Sequence, residues 1–225
     1  FDFIRALKAE LDKDEGTIFR YSNHENTILR EIHRQLDARN EPDKKELQDF
    51  IDSITHYEKD KVKHAGERDM VDLADVVLKY YFHPIMGGSY SIKVVLPAVL
   101  NSSDFIKGKY SQPIYGTPDM FSQNLLEPKV WIDYGEDGKV KNPYKLLPPI
   151  ASYLGIDADL NELELKDTES VANGGAALAA YAKMQFSDGT MSEALEKALL
   201  TYCELDTLAM VFIWEYFNDE CRAVV

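Results

Sequence analysis

Six of the nine prolines in this 225-residue chain fall between positions 101 and 150, at 113, 118, 128, 143, 148 and 149. Proline has no amide hydrogen and a fixed φ, so a stretch this rich in it supports neither a long helix nor a central strand. The same span holds Gly108, Gly116, Gly135 and Gly138, together with Tyr110, Tyr115, Phe121, Trp131, Tyr134 and Tyr144. A linker has no use for so many aromatic rings. Residues 101–150 are therefore read as an insertion that packs onto a core, with a small hairpin between Trp131 and Val140.

Ahead of the insertion, Phe3, Leu7 and Leu11 stand four apart and predict a short amphipathic helix, broken by Asp14-Glu15-Gly16. Thr17 to Tyr21 is β-branched and aromatic between turn residues, the mark of a short strand. Ile28, Leu29, Ile32 and Leu36 form the apolar stripe of a helix starting at Glu25, which Ser22 or Asn23 can cap. Residues 37–69 are highly charged, and Phe50, Ile51, Ile54 and Tyr57 mark a helix that ends over Lys59 to Arg68. Met70 to Leu73 reads as a second strand, and Ala74 to Tyr81 as a helix or extended turn. After the break at Gly87-Gly88, Ser89-Tyr90-Ser91 caps a helix through Ile92, Val95, Leu96 and Val99, whose end Pro97 leaves open.

The last third is helical. Gly174-Gly175 opens an alanine-rich stretch reaching Met184, and Ser192 caps a long helix running to Phe217, with Glu193 in its first turn. Its apolar residues Leu195, Leu199, Leu205, Leu208, Phe212 and Trp214 cover more than one face, which places it centrally. Such a sequence of elements describes a mixed α/β protein.

Composition narrows the function. Lys and Arg total 25 against 39 Asp and Glu, a formal charge of −14. That balance argues against avid, non-specific nucleic-acid binding. It does not exclude an enzyme that gathers carboxylates around divalent ions and grips its substrate through them. No apolar run reaches the 18 or so residues of a membrane span, and no signal peptide is visible. Cys203 and Cys221 alone make neither a disulfide scaffold nor a zinc site, so a reducing cytoplasm is the expected setting.

Two places carry candidate chemistry. Ser22-Asn23-His24-Glu25 lies between a predicted strand end and a helix start, where ligand groups gather in α/β folds. Helix capping, with Glu25 favoured by the helix dipole, is the simpler explanation there. Tyr202 and Asp206 are four apart on the long helix and project from one face, among apolar neighbours. A carboxylate is costly there unless it is paired with a basic side chain or bound to metal. Asp72 and Asp75 read as caps after a strand; His24 can donate a hydrogen bond or ligate metal, although polar surface beside a cap is its simpler use, and His33, His56, His64 and His83 show no ligand spacing. Neither glycine pair is followed by the Lys-Ser/Thr of a phosphate loop. The aromatic insertion can stack bases, although a satellite hydrophobic cluster is its simpler use.

Several segments in order resemble a bacterial family known as domain of unknown function 2779. They are Gly16 to Leu29, Val71-Asp72-Leu73, Gly88 to Pro97, Asn173 to Ala176 and Tyr202 to Met210. Ser89-Tyr90-Ser91-Ile92-Lys93 and Tyr202-Cys203 with Asp206-Thr207 are the most specific of them. That family in turn resembles a divergent branch of the ribonuclease H-like 3′–5′ exonucleases with four acidic residues (the DEDD type). The resemblance implies a ribonuclease H-like mixed sheet flanked by helices, forming one domain over residues 1–225 with 101–150 inserted in it. Glu25 then matches the second motif, with Glu for the usual Asp, while Tyr202 and Asp206 match the tyrosine form of the third. The first motif, Asp-x-Glu on an early strand, has no match: Asp2 is followed by Phe3 and Ile4. On this reading the chain is the C-terminal part of a longer protein whose first strands and first acidic pair lie upstream.

The implied reaction is phosphodiester hydrolysis by two Mg²⁺ or Mn²⁺ ions roughly 4 Å apart, held by hard oxygen ligands. The resemblance assigns Glu25 and Asp206 to the metals and Tyr202 to orienting the attacking water. Single-stranded nucleic acid is the expected substrate, an upstream domain the expected partner, and the chain alone is expected to turn over little. A non-catalytic nuclease-like scaffold or interaction module is the competing expectation.

Overall fold

The computed structural model describes residues 1–125, 127–148 and 174–223, with side chains of 174–176, 179 and 223 left aside. The expectations resting on Pro149 and Asn173 lie outside these residues. The protein is helix-rich mixed α/β, and its backbone divides into two compact units, Phe1–Phe82 and His83–Val225.

In the first unit, helix α1 (Asp2–Leu11) leads to strand β1 (Phe19–Arg20) and helices α2 (His24–Asp37) and α3 (Lys44–Ile54). A hairpin of β2 (His56–Lys59) and β3 (Val62–Ala65) follows, then β4 (Val71–Asp72) and α4 (Leu73–Tyr80). β1 and β4 pair in parallel, Phe19 opposite Val71 and Arg20 opposite Asp72. Ile4, Leu29, Leu36, Leu47, Phe50, Ile51, Ile54 and Met70 form the core between the helices. Removing each such side chain from water contributes about 1.5–3 kcal/mol. The α1 stripe differs from expectation: Ile4 is buried and Phe3 is 62% exposed.

The hairpin replaces the end of the helix expected to include Tyr57. Thr55 turns extended, and the pairing of Tyr57 with His64 stacks their rings 4.9 Å apart. Its turn, Asp60-Lys61, takes positive φ at both residues, 51° and 63°, as a type I′ turn requires. The carboxylate of Asp72 closes the β1–β4 end. It accepts from Ala74 N at 2.9 Å as the cap of α4, from Ser22 N at 2.8 Å and from Arg20 Nη1 at 2.6 Å.

The second unit holds α5 (Ile92–Ser102), α6 (Asp104–Tyr110), a short 3₁₀ helix (Pro143–Leu146), α7 (Gly174–Met184) and α8 (Gly189–Ala223). α8 is longer than the sequence suggests. Ser192 lies inside it, and its first turn is held by Asp188, whose Oδ1 accepts from Met191 N at 3.3 Å and whose carbonyl accepts from Ser192 N at 2.8 Å. The aromatic segment contributes Tyr115, Trp131, Ile132, Val140 and Tyr144 to a core shared with Leu96, Leu100, Leu205, Leu208 and Phe212. Trp131 is fully buried. Tyr134 and Val140 are bridged antiparallel, the hairpin contact expected beyond Trp131.

Candidate functional site

Helix α8 has both its apolar and its polar business on the run Tyr202 to Ala209. Leu205, Leu208 and Ala209 go into the core, and Tyr202 joins them at 4% exposure. Asp206, one turn on, is half-buried beside it. The carboxylate of Asp206 accepts from the hydroxyl of Tyr144 on the 3₁₀ helix, and its charge acts on the hydroxyl of Tyr202 one turn before it. The two tyrosine rings lie 5.9 Å apart, tilted by 52°. Burial pushes the Tyr202 hydroxyl above the ordinary phenol range, and the negative charge of Asp206 adds to it. Tyr202 therefore stays protonated at neutral pH and acts as a donor, not as a base.

Lys93 covers this pair. Its ammonium lies 5.0 Å from the ring centre of Tyr202 and 5.6 Å from that of Tyr144. Pro97 explains how α5 is tied to the 3₁₀ helix. It sits inside α5 instead of ending it, and removes the amide that would bond the Lys93 carbonyl four residues back. Asn142 supplies the missing donor, its Nδ2 lying 3.3 Å from that carbonyl. Its Oδ1 accepts from Tyr144 N at 3.1 Å. One asparagine thus fixes Lys93 and Tyr144 relative to each other.

Glu204 faces the other way on α8, because two residues turn a helix by about 200°. Its Oε1 accepts from the hydroxyls of Tyr115, at 2.5 Å, and of Ser122. Its Oε2 accepts from the backbone and side chain of Asn124, the former at 3.0 Å. Burial pushes this carboxyl up, but the bonds from Ser122, Tyr115 and Asn124 outweigh it and leave the acid below its ordinary range. Glu204 is the clamp that holds the aromatic insertion on α8, and both its oxygens are committed.

In the first unit, Glu25 stands exposed in the first turn of α2, after the N-cap Asn23, and His24 is exposed beside it. Asn23 makes no side-chain bond to the helix backbone, so the expected cap is one of position only. Ser22 is held instead at φ 75°, its amide on Asp72. Glu25 forms no ion pair among the described residues and borders a groove of about 320 Å³ whose walls include Phe3, Leu7, Leu11, Ile18 and Ile28. Asp72 is the cap that the sequence suggested, with the added burden of the buried Arg20, which is 6% exposed.

The structure therefore brings together Tyr202 and Asp206 in the second unit, while Glu25 belongs to the first. The basic partner weighed for Asp206 is not found among the described residues; the phenol of Tyr144 takes its place. No group of three His, Cys, Asp or Glu side chains among the described residues is arranged to hold a metal ion. The donor chemistry at Asp206 and Glu25 is carboxylate oxygen, which fits Mg²⁺ or Mn²⁺ and not a thiol-seeking metal. Cys203 and Cys221 are both exposed and free. Sequence reasoning missed Tyr144, Asn142 and Glu204. Lys93 stood within a recognised motif but had no role attached to it.

Comparison with known proteins agrees with part of this picture. The model of a family described as Domain of unknown function (DUF2779) matches residues 1–91. The match includes Glu25 and the Arg20–Asp72 pair and stops short of Lys93, Tyr202 and Asp206. No curated protein and no solved structure matches the chain. Among the described residues, no helix is long and apolar enough to cross a membrane.

Proposed function

We propose that this chain contributes to a metal-dependent 3′–5′ exonuclease acting on single-stranded nucleic acid, with a ribonuclease H-like arrangement of which β1 and β4 are part. Asp206 and Glu25 are the candidate metal ligands, and Tyr202 the group that orients the attacking water. The observation that supports this reading is the state of Asp206. It is a half-buried carboxylate that accepts from the Tyr144 hydroxyl, with no cation paired to it among the described residues. A carboxylate that has lost water needs compensation, of which the Tyr144 hydroxyl and the Lys93 ammonium over the two rings supply a part. A divalent ion supplies the remainder; when bound, Mg²⁺ or Mn²⁺ polarises the phosphoryl group and activates water. Tyr144 holds Oδ1 of Asp206, and Tyr202 keeps its proton beside the same carboxylate.

One observation favours a second reading, a non-catalytic nuclease-like scaffold: no three ligand side chains stand together among the described residues. The same experiment separates the two. The natural full-length protein containing this chain is incubated with a 5′-labelled single strand and Mn²⁺. A ladder of 3′-shortened products that disappears with Asp206→Asn supports the exonuclease. Equal trimming by parent and variant removes Asp206 from the mechanism, and no trimming by either leaves the scaffold.

A further inference from the structure

Acidity is unevenly spread along the chain. Against the overall −14, residues 93–145 hold seven lysines and six carboxylates. Four of those lysines are already paired: Lys107 with Asp104, Lys109 with Glu215, Lys139 with Asp137 and Lys141 with Asp133. Lys93, Lys129 and Lys145 have no carboxylate partner among the described residues, and all three meet at the short helix Pro143–Leu146. Lys93 lies over the ring of Tyr144, Lys129 donates to the carbonyl of Leu146 at 3.2 Å, and Lys145 is exposed between them in sequence.

Among the described residues these three ammonium groups have no carboxylate counter-charge at the turn that gathers them. Lys93 in particular is half-buried against two tyrosines. Ring faces compensate an ammonium only in part. An anion would complete it. The turn that gathers these lysines is also the one that presents Tyr144 to Asp206.

We propose that Lys93, Lys129 and Lys145 form a phosphate-binding platform around residues 143–146, which holds the backbone of a single-stranded nucleic acid beside Asp206. This inference rests on the nuclease reading for its ligand and adds to it the residues that grip the substrate. It also accounts for how a chain of this acidity binds a polyanion: through a local patch in which the other lysines are internally neutralised. The platform reads charge and not base, so it predicts affinity without sequence preference.

The test is anisotropy of a labelled twelve-nucleotide oligo(dT) with Ca²⁺ in place of a catalytic ion, across a salt series. Single-strand binding loses about 0.7 in the slope of log affinity against log salt for each phosphate contact removed. At 0.1 M salt that slope corresponds to about a fivefold loss per lysine. Lys93→Met and Lys145→Met should each show both changes, and Lys93→Arg should restore the slope. Lys139→Met, which removes a paired lysine, should change neither. A packing role for Lys93 would shift the unfolding midpoint but not the salt slope. If the lysine variants bind as the parent does while Asp206→Asn still abolishes trimming, the platform is refuted and the nuclease reading survives. If the variants lose affinity while Asp206→Asn trims normally, the platform stands and the catalytic assignment falls. Failure of the parent to bind the oligonucleotide refutes the platform outright.

Discussion

Replacing Glu204 by leucine removes the acceptor for four donors at once: the Tyr115 and Ser122 hydroxyls, and the backbone and side-chain amides of Asn124. Asn124 is half-buried and can turn to water, but Tyr115 and Ser122 are buried at 7% and 6% exposure. Each buried donor left unmade costs about 1–3 kcal/mol, so the two together cost about 3 kcal/mol. With a urea slope of about 2 kcal/mol/M, the midpoint should fall by about 1.5 M. Glu204→Gln should cost only about 1 kcal/mol, because a rotated hydroxyl can accept from the new amide. The chain has two tryptophans, Trp131 and Trp214, and both belong to the second unit, so tryptophan fluorescence follows the part that Glu204 clamps. Acid adds a second signature. The folded-state pKa of Glu204 is lowered, so the unfolded chain binds the proton more readily, and stability is present above the ordinary glutamate pKa and lost as pH falls through the folded value. Glu204→Gln should flatten that acid loss. A Glu204→Leu midpoint within about 0.2 M of the parent, below about 0.4 kcal/mol at that slope, would refute the clamp.

Other consequences are equally direct. Asn142→Ala should cost about 1 kcal/mol in the parent, and less in a Pro97→Ala background, where the restored amide satisfies the Lys93 carbonyl; additive effects in the double-mutant cycle would disprove the compensation. Asp72→Ala strips the buried Arg20 of its partner and α4 of its cap, and should destabilise the first unit by about 3–5 kcal/mol. Hydrogen exchange at the Ser22 and Ala74 amides, both bonded to Asp72, should then rise sharply, and unchanged protection would contradict the assignment.

How far these features could be read from residues alone depended on whether their causes were local. The α2 stripe of Leu29 and Leu36, the β4 strand and the Asp72 cap follow from spacing and turn chemistry within a few residues. Hairpin β2–β3 does not, because its strands are charged on both faces and its I′ turn uses Asp60-Lys61 without the usual glycine. Pro97 left the end of its helix open because the asparagine that repairs the helix lies 45 positions later. At the candidate site, the pairing of Tyr202 with Asp206 was visible as helical period. Tyr144, 62 residues from Asp206, was not, since no local pattern announces a contact made by a proline-rich segment on a distant helix. Glu204 shows the same limit from the other side: it sits between two singled-out residues, yet the helix turns it toward entirely different partners.

The central claim is that Asp206 and Glu25 hold the same class of divalent cation, and Mn²⁺ titration followed by electron paramagnetic resonance tests it most directly. The parent should bind Mn²⁺, with Asp206→Asn and Glu25→Gln each weakening binding at least tenfold, about 1.4 kcal/mol, while the tryptophan unfolding midpoint of Asp206→Asn and the circular-dichroism midpoint of Glu25→Gln stay put. Undiminished Mn²⁺ binding by folded Asp206→Asn would contradict the account.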